Sequence, residues 1–486
     1  MDFTTSMLYL ILLLPVALAV CCCVLRPDGG RARSAVLLAV QGAELLLVLL
    51  AVCRGAELVS PVWHMSEALT FSLRLDRLAG FFCLLTAACW LLTMVYALRY
   101  MTHEERQPRF YVFFFLTETM VLGTALAADF VTLYLFFEMT TLLSFPLVLH
   151  AQSDRAVLGA SKYLYYSVAG AFLALFGIVV LASYVPLRFV QGGSLTSPAD
   201  GRVLAASFCV ILGLGAKAGL FPLHNWLPSA HPVAPAPASA LLSGIITKIG
   251  VIGILRLIYF VIGADALRGT WVQVSAIILA LITVFVGSYM GTTENVLKKR
   301  LAYSSVSQLS YVLLGVLLMT PAGLLGALLQ MLFHAAAKIG VFLCAGSAIF
   351  LTGTETLDGF PGLGRRLPAT MVCFTLLSLS LVGIPPFGGF FSKWYLISAA
   401  LADVPGALGF VIAGVLLFSA LLTAGYLFPP VVRSFFPGRA FPGAARVAEP
   451  LTMVLPLAVM AAVCLLLGLF PNGILAVLRA VAGSIL

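Results

Sequence analysis

The 486-residue sequence has few charged residues, and this scarcity already narrows its class. Only 10% of the residues are charged and 62% are hydrophobic, whereas a soluble domain is about half apolar and about a quarter charged. The composition therefore excludes a soluble enzyme, a disordered protein and a nucleic-acid binder. The net charge of +9 comes from dispersed basic residues, which are ordinary in the loops of an inserted membrane protein.

The ten cysteines lack the spacing of a metal or redox site. Cys21, Cys22 and Cys23 stand together in one apolar run, and the others stand singly within apolar stretches. No C-x-x-C pair and no Cys/His ligand spacing occurs in the sequence, so a self-contained iron–sulfur or thiol centre is excluded. We interpret the cysteines as small buried hydrophobic residues, and we predict no cofactor and no metal site in this chain.

The first residues lack the positive charge of a secretory signal peptide. Asp2 precedes the first apolar run without any Lys or Arg, so we expect this run to remain as a membrane span. Apolar runs separated by polar residues or by Gly and Pro predict an all-α polytopic membrane protein with about 14 spans. These spans cover residues 6–25, 35–53, 78–99, 111–128, 131–150, 163–186, 203–223, 236–262, 271–290, 302–320, 323–350, 369–398, 405–428 and 450–476.

The basic residues are unevenly divided between the two sets of loops. With the N-terminus outside, 16 basic residues fall in inner loops: Arg26, Arg31, Arg33, Arg99, Arg106, Arg109, Arg155, Lys162, Lys298, Lys299, Arg300, Arg365, Arg366, Arg433, Arg439 and Arg446. Seven fall in outer loops: Arg54, Arg74, Arg77, Arg188, Arg202, Arg268 and Arg479. This bias predicts that both termini face outward from a cell inner (plasma) membrane.

Titratable residues inside the predicted spans are the main functional candidates. A charge at bilayer depth costs at least about 2.5 kcal/mol and usually serves a function. The primary set is Glu138, Lys217, Lys248, His334, Lys338 and Lys393, and the secondary set is Glu118, His224 and His231. Any one of them could instead fix helix packing or reach the bilayer surface. The whole set exceeds what packing requires and is typical of an ion pathway. Nothing in the sequence suggests a partner for Glu44.

The spacing of these residues suggests proton relay. His334 and Lys338 are four residues apart, so they share one helix face. Burial disfavours a charged lysine and a nearby carboxylate favours it. Lys217 paired with Glu138 would therefore hold or release a proton according to the distance between the two groups.

Two of the spans carrying lysines are interrupted by Pro and Gly. Pro222 follows Lys217, and Pro385 and Pro386 precede Lys393. Such breaks are tolerated at membrane depth only where protein or water satisfies the backbone. One broken span in each half of the chain is typical of an inverted-repeat transporter. We therefore divide the chain into N-terminal helices 1–3 (1–110), a first repeat (111–262), a second repeat (263–430), and a C-terminal loop with helix 14 (431–486).

Five stretches resemble one family over about residues 75–430. They are FEMTTLLSFPLV (137–148), KAGLFPLHNWLPSAHPVAPAPASALLSGIITKIG (217–250), NVLKKRLAYSSVSQLSYVLLG (295–315), FHAAAKIGVFLCAG (333–346) and LVGIPPFGGFFSKWYL (381–396). The sequence resembles the antiporter-like proton-translocating subunits. These include membrane-arm subunits of respiratory complex I, subunits of membrane-bound hydrogenases and subunits of Mrp sodium/proton antiporters.

The resemblance implies a role for each primary residue. Glu138 matches the helix-five glutamate that modulates the helix-seven lysine, which is Lys217 here. Lys248 matches the helix-eight lysine, His334 and Lys338 match the titratable helix-eleven positions, and Lys393 matches the terminal helix-twelve residue. The family implies a 14-helix bundle with two inverted five-helix repeats, proton half-channels, and other membrane subunits side by side as partners. Any redox centres would then lie in partner subunits.

Departures from the family pattern narrow the type of subunit. The largest complex I type continues into a long lateral helix, so we do not expect that type. Lys393 disfavours the complex I type that has Glu at this position. An Mrp D-like subunit, a hydrogenase or other complex I-like pump subunit, and the smallest complex I type remain open, as does sodium in place of the proton. Outside the family, the alternatives are an inverted-repeat solute transporter and a non-conducting membrane scaffold.

Overall fold

A computed structural model describes residues 3–24, 30–55, 57–64, 70–195, 199–438 and 445–486. Within these ranges, 11 helices are long and apolar enough to cross a membrane. The protein is therefore a multi-pass membrane protein of the predicted all-α class. Arg26 and Arg439, which contributed to the predicted orientation, lie outside the described residues.

The N-terminal part contains three long helices and a small extramembrane β region. The helices are α1 (Phe3–Val24), α2 (Gly30–Cys53) and α3 (Arg77–Tyr100). Between α2 and α3, β1 (Leu58–Val59) pairs antiparallel with β4 (Arg74–Leu75), and β2 (Trp63–His64) pairs antiparallel with β3 (Thr70–Phe71). The sequence did not predict these short strands, because two-residue segments carry no detectable periodicity.

The middle part contains a series of long and interrupted helices. The α-helices are α4 (Gln107–Leu126), α5 (Phe130–Val148), α6 (Asp154–Ala182), α7 (Gly201–Lys217), α8 (Leu227–Ala230), α9 (Ala236–Leu241) and α10 (Lys248–Arg256). Two π-helical segments, Leu242–Ile246 and Leu257–Ile262, flank α10. Asp129 and Ser153 cap the N-termini of α5 and α6 through side-chain hydrogen bonds, which satisfies backbone donors at those helix ends.

The C-terminal part repeats this pattern of long and interrupted helices. It consists of α11 (Ala264–Leu267), α12 (Trp271–Thr293), α13 (Leu297–Leu317), α14 (Pro321–Thr352), α15 (Leu363–Arg366), α16 (Pro368–Val382), α17 (Gly388–Asp403), α18 (Ala407–Phe435), α19 (Leu451–Leu469) and α20 (Pro471–Gly483). Short 3₁₀ turns lie at Met101–His103 and Leu357–Gly359.

The two predicted helix breaks have the same local geometry. After α7, Gly219 has a φ of +75° and the peptide before Pro222 is cis. After α16, Gly383 has a φ of +90° and the peptide before Pro386 is cis. The left-handed conformation favours glycine at both positions. The predicted internal repeat and its boundaries remain a prediction.

The predicted count of 14 spans also remains a prediction. Eleven predicted spans coincide with the long apolar helices. The other three coincide with the short helix α7, the more polar helix α13, and the broken pair α16 and α17. The most apolar stretch of Ala236–Ile262 is completely buried, and that of α14 is 78% buried. These two elements therefore form the centre of the bundle, away from lipid.

Candidate functional site

Lys217 is the last residue of α7 and is held by two neutral hydroxyl groups. Its Nζ donates hydrogen bonds to Thr141 Oγ1 and to Tyr163 OH, both at 2.7 Å. The ammonium also lies 4.7 Å from the centroid of the Tyr163 ring. The side chain is 1% exposed, so Lys217 cannot reach the bilayer surface and a snorkelling role is excluded for it.

Glu138 lies on α5, one turn before Thr141, which accepts a hydrogen bond from Lys217. Its side chain is half-buried, and its Oε1 is buried without a hydrogen-bond partner. Among the described residues, no salt bridge joins Glu138 to Lys217. Thr141 therefore lies at the place where the sequence led us to expect the carboxylate contact. The pairing of Glu138 with Lys217 stays a prediction.

Lys248 and His334 meet at the centre of the bundle. Lys248 begins α10, directly after the π-helical segment Leu242–Ile246, and its Nζ lies 3.1 Å from His334 Nδ1 on α14. Lys248 Nζ also donates to the Gly244 carbonyl. The other ring nitrogen of His334 is buried and unpaired. A buried ammonium beside an imidazole, without a carboxylate in contact, is suited to moving a proton between the two groups.

Close packing brings α7 and α10 together near the two lysines. A Cβ added at Gly250 would lie 2.4 Å from the Leu214 carbonyl oxygen and 3.2 Å from the Lys217 Cβ. Only glycine permits this approach. Because Lys248 stands two residues before Gly250, the backbones that carry Lys217 and Lys248 lie on neighbouring helices in direct contact.

Lys338 lies on α14, one helical turn after His334, but it contacts a different helix. Its Nζ donates to the Leu301 carbonyl of α13 at 3.0 Å. It is completely buried. The predicted shared face therefore presents two titratable groups, one to α10 and the other to α13.

Lys393 reaches back to the end of the preceding half-helix. Its Nζ donates to the carbonyls of Leu381 and Val382, both at 2.7 Å. These carbonyls lie in the last turn of α16, where the helix leaves backbone acceptors unpaired and carries partial negative charge. The ammonium also lies 5.4 Å from the Tyr311 ring centroid. Lys217 is thus the last residue of the half-helix before its break, whereas Lys393 lies on the half-helix after its break and only its ammonium contacts the end of α16.

A chain of side-chain hydrogen bonds connects α14 with the Lys393 segment. Gln330, one turn before His334, donates to Gln308 Oε1 at 2.8 Å and accepts from Ser392 Oγ at 2.5 Å. Ser392 directly precedes Lys393. Gln308, Gln330 and Ser392, like Thr141 and Tyr163, were not predicted from the sequence, because none of them carries a charge. Polar residues at helical spacing from the buried lysines are the signal that would have found them.

The secondary candidates do not form one group. His224 is half-buried and stacks on Phe221, with ring centroids 5.7 Å apart. His231 is completely buried, stacks on Phe342 at 4.8 Å, and has no hydrogen-bond partner for either ring nitrogen. Glu118 lies away from the lysines and contacts Gln41 of α2.

A polar cavity of about 390 Å³ lies at the loop end shared by α3 and α13. Its lining includes Glu104, Arg155, Lys298 and Glu355. Lys298 is buried, and its Nζ donates to the Ala234 carbonyl at 2.8 Å. Titratable side chains of this cavity therefore lie beside the segment that follows the helix break at Pro222.

Asp76 forms a contrasting cluster of opposite charges at the other end of α3, with Arg256 and with Arg74 at 3.1 Å. The Arg256 guanidinium donates to Asp76 Oδ2 at 2.6 Å and to Oδ1 at 3.0 Å, and it lies over the Phe260 ring. Burial acts to raise the pKa of Asp76, but the charge and hydrogen bonds of Arg256 outweigh it and lower this pKa to about 2. Asp76 also caps α3 by accepting from the Ala79 amide.

No cluster of three or more His, Cys, Asp or Glu side chains suited to a metal occurs among the described residues. The expectation that this chain carries no cofactor or metal remains a prediction.

Two family signatures match the sequence. "NADH:quinone oxidoreductase/Mrp antiporter, TM" matches residues 127–423, and "NADH-Ubiquinone oxidoreductase (complex I), chain 5 N-terminus" matches residues 63–111. The first match alone spans more than half of the chain and includes all six primary candidates.

Curated relatives carry names from three kinds of complex. NADH-quinone oxidoreductase subunit N of Desulforudis audaxviator is 34% identical over 420 residues, covering 82% of each chain. Hydrogenase-4 component B of Escherichia coli is 30% identical, covering 85% of this chain and 65% of that protein. The D subunit of a Na(+)/H(+) antiporter from Alkalihalophilus pseudofirmus is 30% identical, covering 72% of this chain and 70% of that protein.

Solved structures show the same fold over the whole chain. A chain of the Mrp complex from Dietzia superposes with a TM-score of 0.88 at 23% identity, covering 100% of this chain and 98% of its own. A chain of respiratory complex I from Thermus thermophilus superposes with a TM-score of 0.82 at 22% identity, covering 98% of this chain and 99% of its own. The resemblance drawn from the five sequence stretches is confirmed, and the chain belongs to the NADH:quinone oxidoreductase/Mrp antiporter family of membrane subunits.

Proposed function

We propose that this chain is a proton-translocating subunit of a multisubunit membrane complex. Four of the buried lysines, Lys217, Lys248, Lys338 and Lys393, carry the proposal, because they lie in the predicted spans and are held by hydroxyls, carbonyls and one imidazole. Ammonium groups that only fixed helix packing would need carboxylate partners to offset the cost of burial. Amines with neutral partners can give up and regain a proton without leaving an uncompensated carboxylate.

The proposed route begins at Glu138 and ends at Lys393. In this proposal, a charge change at the boundary with a neighbouring subunit changes the electrostatic field that Glu138 exerts on Lys217. Lys217 then releases its proton towards Lys248, and the contact of Lys248 with His334 continues the route to α14. From α14 the proposed route continues to Lys393, and the hydrogen bond of Ser392 to Gln330 of α14 is the polar contact that joins α14 to the segment before Lys393.

The relatives suggest two settings for this activity. The Desulforudis and Escherichia relatives bear the names of an oxidoreductase and a hydrogenase, and the Alkalihalophilus relative bears the name of a Na(+)/H(+) antiporter. We propose other membrane subunits as partners, a plasma-membrane location, and both termini on the outer side. Protons are the proposed cargo because lysine, glutamate and histidine exchange protons, with sodium as the alternative. The chain itself performs no redox chemistry in this proposal.

The test is ion transport by the intact complex in membrane vesicles with Lys217→Ala. We expect transport to fall to background while the complex still assembles, because the buried ammonium is lost without leaving a charge. Lys299→Ala is the matched control, because Lys299 is 39% exposed and pairs with Glu294 at 2.6 Å. Full transport in the Lys217→Ala complex would overturn the proposal and favour a non-conducting scaffold.

Mass spectrometry of the complex purified in mild detergent determines which kind of complex contains this chain. Copurification with iron–sulfur or quinone-binding subunits would identify the pumping arm of a redox complex. Copurification with small membrane subunits alone would identify a cation/proton antiporter driven by an ion gradient.

A further inference from the structure

A second group of buried titratable residues lies outside the lysine chain, between α2 and α4. Gln41 Nε2 donates to Glu44 Oε2 and to Glu118 Oε1, both at 2.7 Å. All three side chains are 0% exposed. Two carboxyl groups from different helices are thus joined through one amide nitrogen.

These carboxyl groups have no basic partner in the part of the chain that the structure describes. Among the described residues, neither Glu44 nor Glu118 takes part in a salt bridge. Arg33 stands 11 residues before Glu44, about 16 Å along the helix, and lies over the Tyr111 ring at 5.1 Å. The titratable groups that neighbouring helices place nearest in electrostatic influence are Cys83 of α3 on Glu44, and Cys22 of α1 on Arg33.

Three oxygens of the cluster have no hydrogen-bond donor. They are Gln41 Oε1, Glu44 Oε1 and Glu118 Oε2, each buried and unpaired. An unpaired buried acceptor costs about 1–3 kcal/mol, and two ionised carboxylates so close together repel strongly. The Gln41 amide nitrogen contacts both carboxyls, and its own Oε1 is a third buried acceptor without a donor.

We propose that Gln41, Glu44 and Glu118 form a proton-binding site in which the two carboxyl groups hold at least one proton at neutral pH. A proton removes one negative charge and converts an unpaired acceptor into a donor. Hard divalent metal cations take about six or more oxygen ligands, whereas this cluster offers three unpaired ones. A half-turn of the Gln41 amide would present Oε1 to both carboxyls, and the site would then hold two protons.

The site is distinct from the proposed route and does not rest on it. Its test measures proton occupancy, not transport, so its failure and the failure of the transport proposal are distinguishable.

The experiment is infrared spectroscopy of the intact complex, following the carbonyl stretch of protonated carboxylic acids and its shift in D₂O. We expect a buried-acid band at neutral pH that loses intensity in Glu44→Gln or Glu118→Gln and disappears in the double variant. Gln41→Leu should shift the band without removing it, because both acids remain. Glu294→Gln is the control, since Glu294 pairs with Lys299 at the surface.

A spectrum unchanged by the double variant would overturn the proposal, because both groups would then be ionised in the native complex. A second outcome would also overturn the proposal. If the native complex, but not the variants, lost the band when sodium chloride replaced potassium chloride, the cluster would be a sodium site. The glutamine variants keep the size and hydrogen bonding of the acids, and assembly of the complex shows that they fold.

Discussion

The lysine chain and the Asp76–Arg256 pair bury charge in opposite ways. Arg256 makes two hydrogen bonds to one carboxylate and lies over the rings of Phe189 and Phe260. Lys217 and Lys393 instead donate to hydroxyls and backbone carbonyls. Both regions are buried, so burial alone does not separate them.

The difference lies in what a lost proton or charge would leave behind. Removing Asp76 leaves Arg256 as an uncompensated buried charge, whereas removing Arg256 leaves Asp76 with Arg74 at 3.1 Å. The Asp76–Arg256 pair therefore fixes the ends of α3 and α10. Deprotonating Lys217 or Lys393 leaves a neutral amine beside neutral partners. The paired Arg256 therefore serves the architecture, and lysines held by neutral groups are available for function because they can lose a proton.

The largest expected effect is on transport, from Lys393→Ala. Transport by the intact complex should fall to background, because the exit end of the proposed route is lost. The fold should survive, since the carbonyls of Leu381 and Val382 belong to a helix end beside the exposed break at Pro385. Proton uptake into vesicles and size-exclusion chromatography measure the two properties. Retained transport would remove Lys393 from the route.

The second effect is on stability, from Asp76→Asn. We expect a loss of about 3–5 kcal/mol, because Arg256 is left buried without its carboxylate. The transport rate per assembled complex should not change. Chemical unfolding in detergent measures the loss. The double variant Asp76→Asn with Arg256→Met should recover much of it; if it does not, the pair is not the source of the effect.

A smaller effect on transport is expected from Tyr163→Phe. The ring and its contact with the Lys217 ammonium remain, but one of two hydroxyl hydrogen bonds is lost. A hydrogen bond to a charged group contributes about 1.5–3 kcal/mol, so we expect transport to slow about tenfold and its pH profile to move. Tyr184→Phe is the control, because Tyr184 lies in a loop contact with Arg202. An unchanged pH profile would make Tyr163 a packing residue.

The smallest expected effect is a loss of folding stability at acid pH that results from protonation of Asp76. Its pKa of about 2 lies below the ordinary value of 3.8, so its contribution is complete above about pH 4 and is lost as pH falls towards 2. The full difference amounts to about 2 kcal/mol. Unfolding measured between about pH 5 and pH 2 should show this loss in the native chain and lack it in Asp76→Asn. Equal slopes in both would assign the acid sensitivity to other groups.

Several features of the site were predictable because they depend on local chemistry. The helix breaks at Pro222 and at Pro385–Pro386 follow from residues that cannot continue a helix. The burial of Lys217, Lys248, Lys338 and Lys393 follows from their positions in apolar runs. The contact of Lys248 with His334 fits the expected order of the relay.

The partners of these residues were not predictable, since they lie far away in sequence. Thr141 and Tyr163 stand 76 and 54 residues before Lys217, and Asp76 stands 180 residues before Arg256. Gln41 and Glu118 are 77 residues apart, so the contact between α2 and α4 was not predictable. The contact of Gln41 with Glu44 spans three residues of one helix, and helical spacing could have suggested it. Long-range hydrogen bonds of this kind leave no periodicity in the sequence.

The sequence by itself determined that this protein spans a membrane, where its helices break and which ionisable groups stand within apolar runs, because hydropathy and backbone constraints act over a few residues. Only the tertiary structure decided which polar atoms surround each buried charge. That choice depends on how distant helices pack, and it separates the unpaired lysines of the proposed route from the paired arginine that holds the fold together.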